Sequence, residues 1–326
     1  MLLSNLFTIE ETYLFILFSA IIVVFLVIDL GFFNKKAQKI STKSALYQSI
    51  FWVVISVIFG YLIYLYDGGT EKSLEYFSAY LTEYALSVDN IFVILLILRY
   101  FNVNENYYHN ILFWGILGAL VFRAIFIFVG AILIGQFYWI LYIFGIFLVY
   151  TGIKIFFEDQ EDEIEPEKNI FLKIARKYLP ISEGDHGGKF VLRKDGKLIF
   201  TPLFLVIILI ETTDLIFAVD SIPAAFAITV NEFIIYTSNI FAILGLRAKF
   251  FLLAGILDKF YLLQKGLSFI LVFIGAKMLL EWEYIDIHIP IEMSFGVIIL
   301  TLILSILLSV LLPKPEEISQ SVINED

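Results

Sequence analysis

Apolar residues run along this chain in long unbroken blocks, and the polar residues are gathered into the gaps between them. A nearly uncharged block of about 20 residues, coiled as a helix, matches the ~30 Å hydrocarbon core of a bilayer. The pattern predicts nine such helices, over 13–33, 44–66, 77–100, 111–134, 139–157, 201–230, 234–257, 262–280 and 291–312. The first block lacks a basic leader and a small-residue cleavage pattern, so a retained helix is expected. Asp67-Gly68-Gly69 is a turn signal closing the second span. The expected fold class is all-α, a polytopic membrane protein.

One long polar stretch, 158–200, divides the chain. Residues 1–157 hold spans one to five, 201–312 hold spans six to nine, and 313–326 form a polar tail. The insert opens with the acidic run EDQEDEIEPE, which reads as a solvated linker, and LRKDGKLIF reads as a hairpin about Asp195-Gly196. Lys35, Lys36, Lys39 and Lys43 fill the first connection, and the insert carries many more Lys and Arg, whereas the connection before span nine has none. Basic loops stay in the cytoplasm. The N-terminus is therefore expected outside, the insert and C-terminus inside, and the acidic stretches near 67–75 and 281–292 facing outward.

Composition sharpens this reading. Hydrophobic residues make up 60% of the chain, with 34 Phe and 18 Tyr, far outside globular usage. The net charge of −10 sits largely in connections and tail, so no nucleic-acid partner is expected. Zero Cys removes disulfides, thiolate metal sites and thiol redox chemistry. The three His, at 109, 186 and 288, all fall in expected loops.

Two apolar blocks carry acids where the bilayer core should be. ETTDLIFAVDSIP (211–223) places Glu211, Asp214 and Asp220 there, and EYALSVDNIF (83–92) places Glu83, Asp89 and Asn90. Each such charge costs ~2.5–3.5 kcal/mol or more at mid-bilayer, so something must neutralise them. The two stretches also align, SVDNI on AVDSI. ILGALVFRA (116–124) resembles the shorter ILGLRA (243–248), and LVYTGIKIFFE (148–158) resembles LVFIGAKMLLE (271–281). Spans three to five thus read as repeated in spans six to eight. A three-helix unit enters the membrane in opposite directions in its two copies, an arrangement found in transporters with a midplane site.

In an unbroken helix, acids six residues apart point about 120° from each other. Pro223 removes a helix hydrogen bond next to Asp220, and a local break there is expected to let the acids converge. Ser87, Asn90, Thr212, Thr213 and Ser221 add neutral oxygens nearby. A sulfur-free, all-oxygen set suits a hard divalent cation such as Mn²⁺, Ca²⁺ or Mg²⁺. Arg123 and Arg247 read either as fixed counter-ions or as surrogates that occupy the acids when the metal has left. Asp29, near the end of span one, reads as an interfacial acid paired with Lys35 and Lys36 or as part of the site. An intramembrane aspartyl protease using Asp89 and Asp220 is disfavoured, because no Gly flanks either acid in the pattern such enzymes need.

With these motifs in place, EYALSVDNIFV, ETTDLIFAVDSIPA and VIDLGFFNKK resemble the TerC (tellurium-resistance) family of integral membrane proteins, which is similar to the lysine-exporter superfamily of inverted three-helix repeats. The resemblance implies a bacterial inner-membrane protein whose acidic site is Glu83, Asp89, Asn90, Glu211, Asp214 and Asp220. It also implies export of a divalent cation, Mn²⁺ first, or a role in assembling or metal-loading exported proteins beside the export machinery; protons are the expected counter-ions, because carboxylates crowded in low dielectric would take up protons once the metal leaves. No enzyme activity and no resident cofactor are expected; the metal is cargo. Clustered carboxylates should repel the tellurite anion.

Overall fold

The computed structural model describes residues 8–33, 42–157, 169–184, 186–194, 196–253, 261–281, 287 and 289–312; the side chains of 28–33, 89 and 261 lie outside that description. Asp29 and Asp89 are thus placed on their helices without side chains. The acidic run and the tail also lie outside the described residues.

The expected all-α membrane architecture is what forms. The long helices are α1 (Ile9–Phe33), α2 (Thr42–Ile63), α3 (Gly69–Tyr100), α4 (Tyr108–Gln136), α5 (Ile140–Phe157), α7 (Pro202–Ile228), α8 (Glu232–Leu244), α9 (Leu246–Leu253), α10 (Tyr261–Leu280) and α11 (Ile291–Leu311), with short α6 (Ile170–Tyr178) in the insert. Eight apolar helical stretches among the described residues are long enough to cross a membrane. One of them, Thr42–Tyr100, is 59 residues long, too long for one crossing. It folds back at the π-helical turn Tyr64–Gly68 and at Gly69, whose φ of +63° is the left-handed conformation glycine permits. Ser56 Oγ meets Tyr76 Oη at 2.8 Å and Ser73 Oγ donates to the Gly60 carbonyl at 3.1 Å, so α2 and α3 lie side by side. Divided there, the described residues hold nine apolar helical stretches long enough to cross.

Differences from the expected boundaries have local causes. α3 begins eight residues early, at Gly69, because Glu71, Lys72 and Glu75 continue the helix beyond its apolar part. The seventh span is divided at Gly245 into α8 and α9. His109 lies in the first turn of α4 rather than in a loop.

Caps and breakers set the remaining ends. Asn231 Oδ1 accepts from Ile234 N at 3.1 Å to start α8, Asn169 Oδ1 accepts from Leu172 N at 3.0 Å to start α6, and Pro202 opens α7. The insert forms the expected hairpin, β1 (Val191–Lys194) antiparallel to β2 (Lys197–Phe200), turning at Gly196 with φ +77°. It is held to the bundle by Asn169 Nδ2 on Thr212 Oγ1 at 3.2 Å, and by Leu172 and Ala175 packed with Leu205.

α8 and α9 form the centre. Within Glu232–Leu253, 89% of the apolar window is buried, and a helix apolar on all sides belongs inside other helices. Outer helices instead turn large apolar side chains outward, such as Ile50, Val54 and Ile58 of α2 and Leu300, Leu304 and Leu307 of α11. α5 and α10 meet through small residues. A Cβ on Gly275 would lie 2.7 Å from the Gly145 carbonyl oxygen, and one on Gly152 would lie 2.8 Å from the Ser268 carbonyl oxygen. Helices in lipid approach this closely only where side chains are absent or small.

Candidate functional site

Arg123, at mid-α4, is 1% exposed and is clasped by three other helices. Its Nη1 pairs with Glu83 Oε1 of α3. Its Nη2 lies 3.2 Å from Asp214 Oδ1 of α7, and its Nε lies 3.4 Å from Asp214 Oδ2. This two-pronged grip on Asp214 fixes the guanidinium plane as well as its position. Nη1 also donates to Asn239 Oδ1 of α8 at 3.0 Å and to Ser221 Oγ at 3.4 Å. Asn239 turns its amide nitrogen to Glu83 Oε2 at 3.0 Å, and Asn90 Nδ2 donates to Asp214 Oδ1 at 3.4 Å. One guanidinium thus pairs with two acids, and two amides hydrogen-bond the same carboxylates, inside the apolar bundle.

Glu211 stands one turn before Asp214 on α7. Its carboxylate occupies the space that a Cβ on Gly118 of α4 would fill, and its buried Oε2 has no hydrogen-bond partner. A cavity of about 20 Å³ lies beside Asn90, Thr213 and Asp214, room for one ordered water. On the far side of Glu83, Lys249 of α9 is 2% exposed. Its Nζ donates to Ser87 Oγ and to the Tyr84 carbonyl at 3.4 Å, and sits 3.7 Å from the Tyr84 ring centroid. The aromatic face supplies part of the solvation that this ammonium gives up.

The structure thus brings together Glu83, Asn90, Asp214, Arg123 and Ser221, with Glu211 against the group and Ser87 linked to it through Lys249. Asp220 is directed elsewhere. α7 runs unbroken through Pro223, so Asp214 and Asp220 keep their angular separation, and Asp220 Oδ1 accepts from Thr151 Oγ1 of α5 at 3.4 Å. One lost hydrogen bond did not break a helix held by neighbours on several sides. Thr212 and Thr213 both donate to the Leu209 carbonyl, at 3.0 and 2.7 Å. Arg247, half-buried on α9, is not among the donors to Glu83 or Asp214 described above.

Among the described residues, no three acidic or His side chains are placed together to hold a metal ion. Arg123 takes the space between Glu83 and Asp214. Asn239 and Lys249 are the members that the sequence reading omits. Their signal was available: Asn239 is the one amide in IIYTSNIFAIL and Lys249 the one ammonium in LRAKFF, both within an apolar span.

Comparison with known proteins gives one consistent result. The family model described as "Integral membrane protein TerC family" matches residues 68–317. An uncharacterised membrane protein of Rickettsia bellii is 45% identical over 287 residues, 88% of this chain and 94% of its own length. One from Myxococcus xanthus is 43% identical over 282 residues, covering 86% of both chains. Alx of Escherichia coli (strain K12), whose name describes it as a candidate membrane-bound redox modulator, is 43% identical over 298 residues, 88% of this chain and 92% of its own. No solved structure matches. The family match reaches from the turn before α3 to beyond the end of α11 and includes every member of the Arg123 cluster; this chain belongs to the TerC family of integral membrane proteins.

Proposed function

We propose that this protein exports a hard divalent cation, Mn²⁺ first, through the cluster of Glu83, Asn90, Asp214 and Ser221, with Arg123 standing in for the cation in the arrangement described above. The observation that carries the reading is the guanidinium of Arg123, buried between two carboxylates at mid-membrane. Glu83 and Asp214 together carry the charge that one divalent cation balances, and the carboxylate, amide and hydroxyl oxygens around them are its preferred donors. When Arg123 withdraws, the acids require another cation; when the cation leaves, Arg123 closes the pair again. Glu211, one oxygen of which lacks a partner, is the acid we assign to proton exchange for antiport. Asp89 and Asp220 extend the acidic set along α3 and α7.

An inverted repeat is what this reading expects of spans three to eight. Alignment of 148–158 on 271–281 equates Gly145 with Ser268 and Gly152 with Gly275. The two close contacts, Gly145 with Gly275 and Gly152 with Ser268, then exchange with each other, as contacts across a pseudo-two-fold axis do. We place the N-terminus outside and the insert in the cytoplasm of a bacterial inner membrane. The redox role in the name of Alx has no thiol basis in this chain, which has no Cys.

Liposomes containing only this protein are expected to move Mn²⁺ in exchange for protons running down an imposed gradient, and Asp214→Asn to abolish the movement while the protein stays folded. Absence of any cation flux in the parent protein would overturn export and favour the rival role, assisting assembly or metal loading of exported proteins. Reporters within 169–200 and at 287–290 are expected on opposite sides of the membrane.

A further inference from the structure

Serine and threonine hydroxyls in apolar helices usually bond back to a carbonyl one turn earlier. Here Ser87, Thr213, Thr237, Ser238 and Ser305 do so. Ser78 and Thr82 of α3 do not. They are 0% and 2% exposed, and neither hydroxyl has any partner. A buried hydroxyl left unpaired costs ~1–3 kcal/mol, and two in successive turns need a reason.

Their place on the helix supplies one. At ~100° per residue, Glu71, Glu75, Ser78 and Thr82 fall within ~40° of one line along α3, and position 89 returns to that line after ~5 turns. The outer end of the line opens into a cavity of about 580 Å³ between the ends of α3, α5, α7, α10 and α11. Its charged lining is Glu71, Glu75, Glu281 and Glu292 against Lys277 alone. Glu75 Oε2 accepts from Thr229 Oγ1 at 2.7 Å, and Lys277 Nζ lies 3.8 Å from Glu281 Oε1. Ser78 and Thr82 lie ~5 and ~10 Å deeper along the axis than Glu75.

We propose that this cavity is the cation vestibule of the protein, and that the Ser78 and Thr82 hydroxyls line the passage from it toward the acids of α3. The proposal rests on the cation-export reading. The acidic mouth concentrates cations by its field, and the two hydroxyls replace waters of the hydration shell as the ion passes. They bond to no neighbour because their partner is the ion and its water. In the arrangement described here the passage is shut, since both hydroxyls are fully buried.

The absence of Cys makes the chain its own background for cysteine probing. Ser78→Cys and Thr82→Cys, purified in detergent, are expected to react with a small cationic thiol reagent at least ~10-fold faster than with an anionic one. Mn²⁺ is expected to slow the reaction. Ala79→Cys, on the adjoining face within the apolar core, should stay unreactive. No reaction at 78 and 82, or equal reaction at 79, would overturn the passage. A second measurement pairs Ser78→Ala with Thr82→Val. Because the hydroxyls bond to nothing, thermal stability should hold or rise while Mn²⁺ flux falls ~10-fold or more. Unchanged flux would also overturn the proposal. Charge-selective labelling in a protein that moves no metal would keep the passage and sink the export reading instead.

Discussion

Replacing Arg123 by methionine tests the central cluster most directly. The substitution keeps much of the side-chain length and removes the charge and all the donors. Glu83 then loses its cation and keeps one bond from Asn239, while Asp214 loses two bonds and keeps one from Asn90. Breaking a buried ion pair from one side costs ~3–5 kcal/mol, because the partner is left charged and unpaired. Here two partners are left, so the upper end of that range is expected, read as a fall in the detergent denaturation midpoint at constant pH. Two rescues follow from the same geometry. Neutralising the acids as well, with Glu83→Gln and Asp214→Asn, should return most of the loss, since no unpaired charge then remains. Mn²⁺ should stabilise Arg123→Met more than the parent, because the cation no longer competes with a tethered guanidinium; at 100 times its dissociation constant it contributes ~2.7 kcal/mol. A loss under ~1 kcal/mol, or a triple variant no better than the single one, would refute the account of a buried, ion-paired cluster. Stabilisation by Mn²⁺ no greater in Arg123→Met than in the parent would refute the idea that Arg123 and the cation share one place.

Two further substitutions probe close approaches. Gly118→Ala puts a methyl where the Glu211 carboxylate lies; a loss of ~1–3 kcal/mol is expected, together with loss of proton-coupled flux, and normal coupling would remove Glu211 from its assigned role. Gly275→Leu forces α10 away from the Gly145 carbonyl and should lower the midpoint by more than ~3 kcal/mol or prevent assembly; a leucine there without effect would show that the two helices do not meet as described.

The spans were legible because length and apolarity alone set them, and the turn at Gly68–Gly69 was legible because only glycine adopts its geometry without strain. Glu83, Asp214 and Arg123 stood out as charges in apolar sequence. What could not be read was which charge meets which: Arg123 reaches α3 and α7 at once, a matter of helix packing rather than spacing. Asp220 shows the same limit from the other side. Its six-residue separation from Asp214 suggested one site reached by a broken helix, yet α7 stays continuous and presents the two acids to different neighbours. Asn239 and Lys249 were passed over because neither belongs to an acidic motif, although a lone amide or ammonium among Ile and Phe is as anomalous as a carboxylate.

The seam between α5 and α10 constrains how the molecule can move. Where two helices meet this closely at glycines, few side chains lie between the backbones to change rotamer and absorb a displacement. Separating them would forfeit close backbone contacts that lipid chains pack too loosely to replace. The rearrangement that the export reading requires to free Arg123 is therefore expected among α3, α4, α7 and α8, whose shared contacts at the cluster are made by polar side-chain ends. α5 and α10, drawn from opposite halves of the chain, are therefore expected to travel as one piece in any such rearrangement.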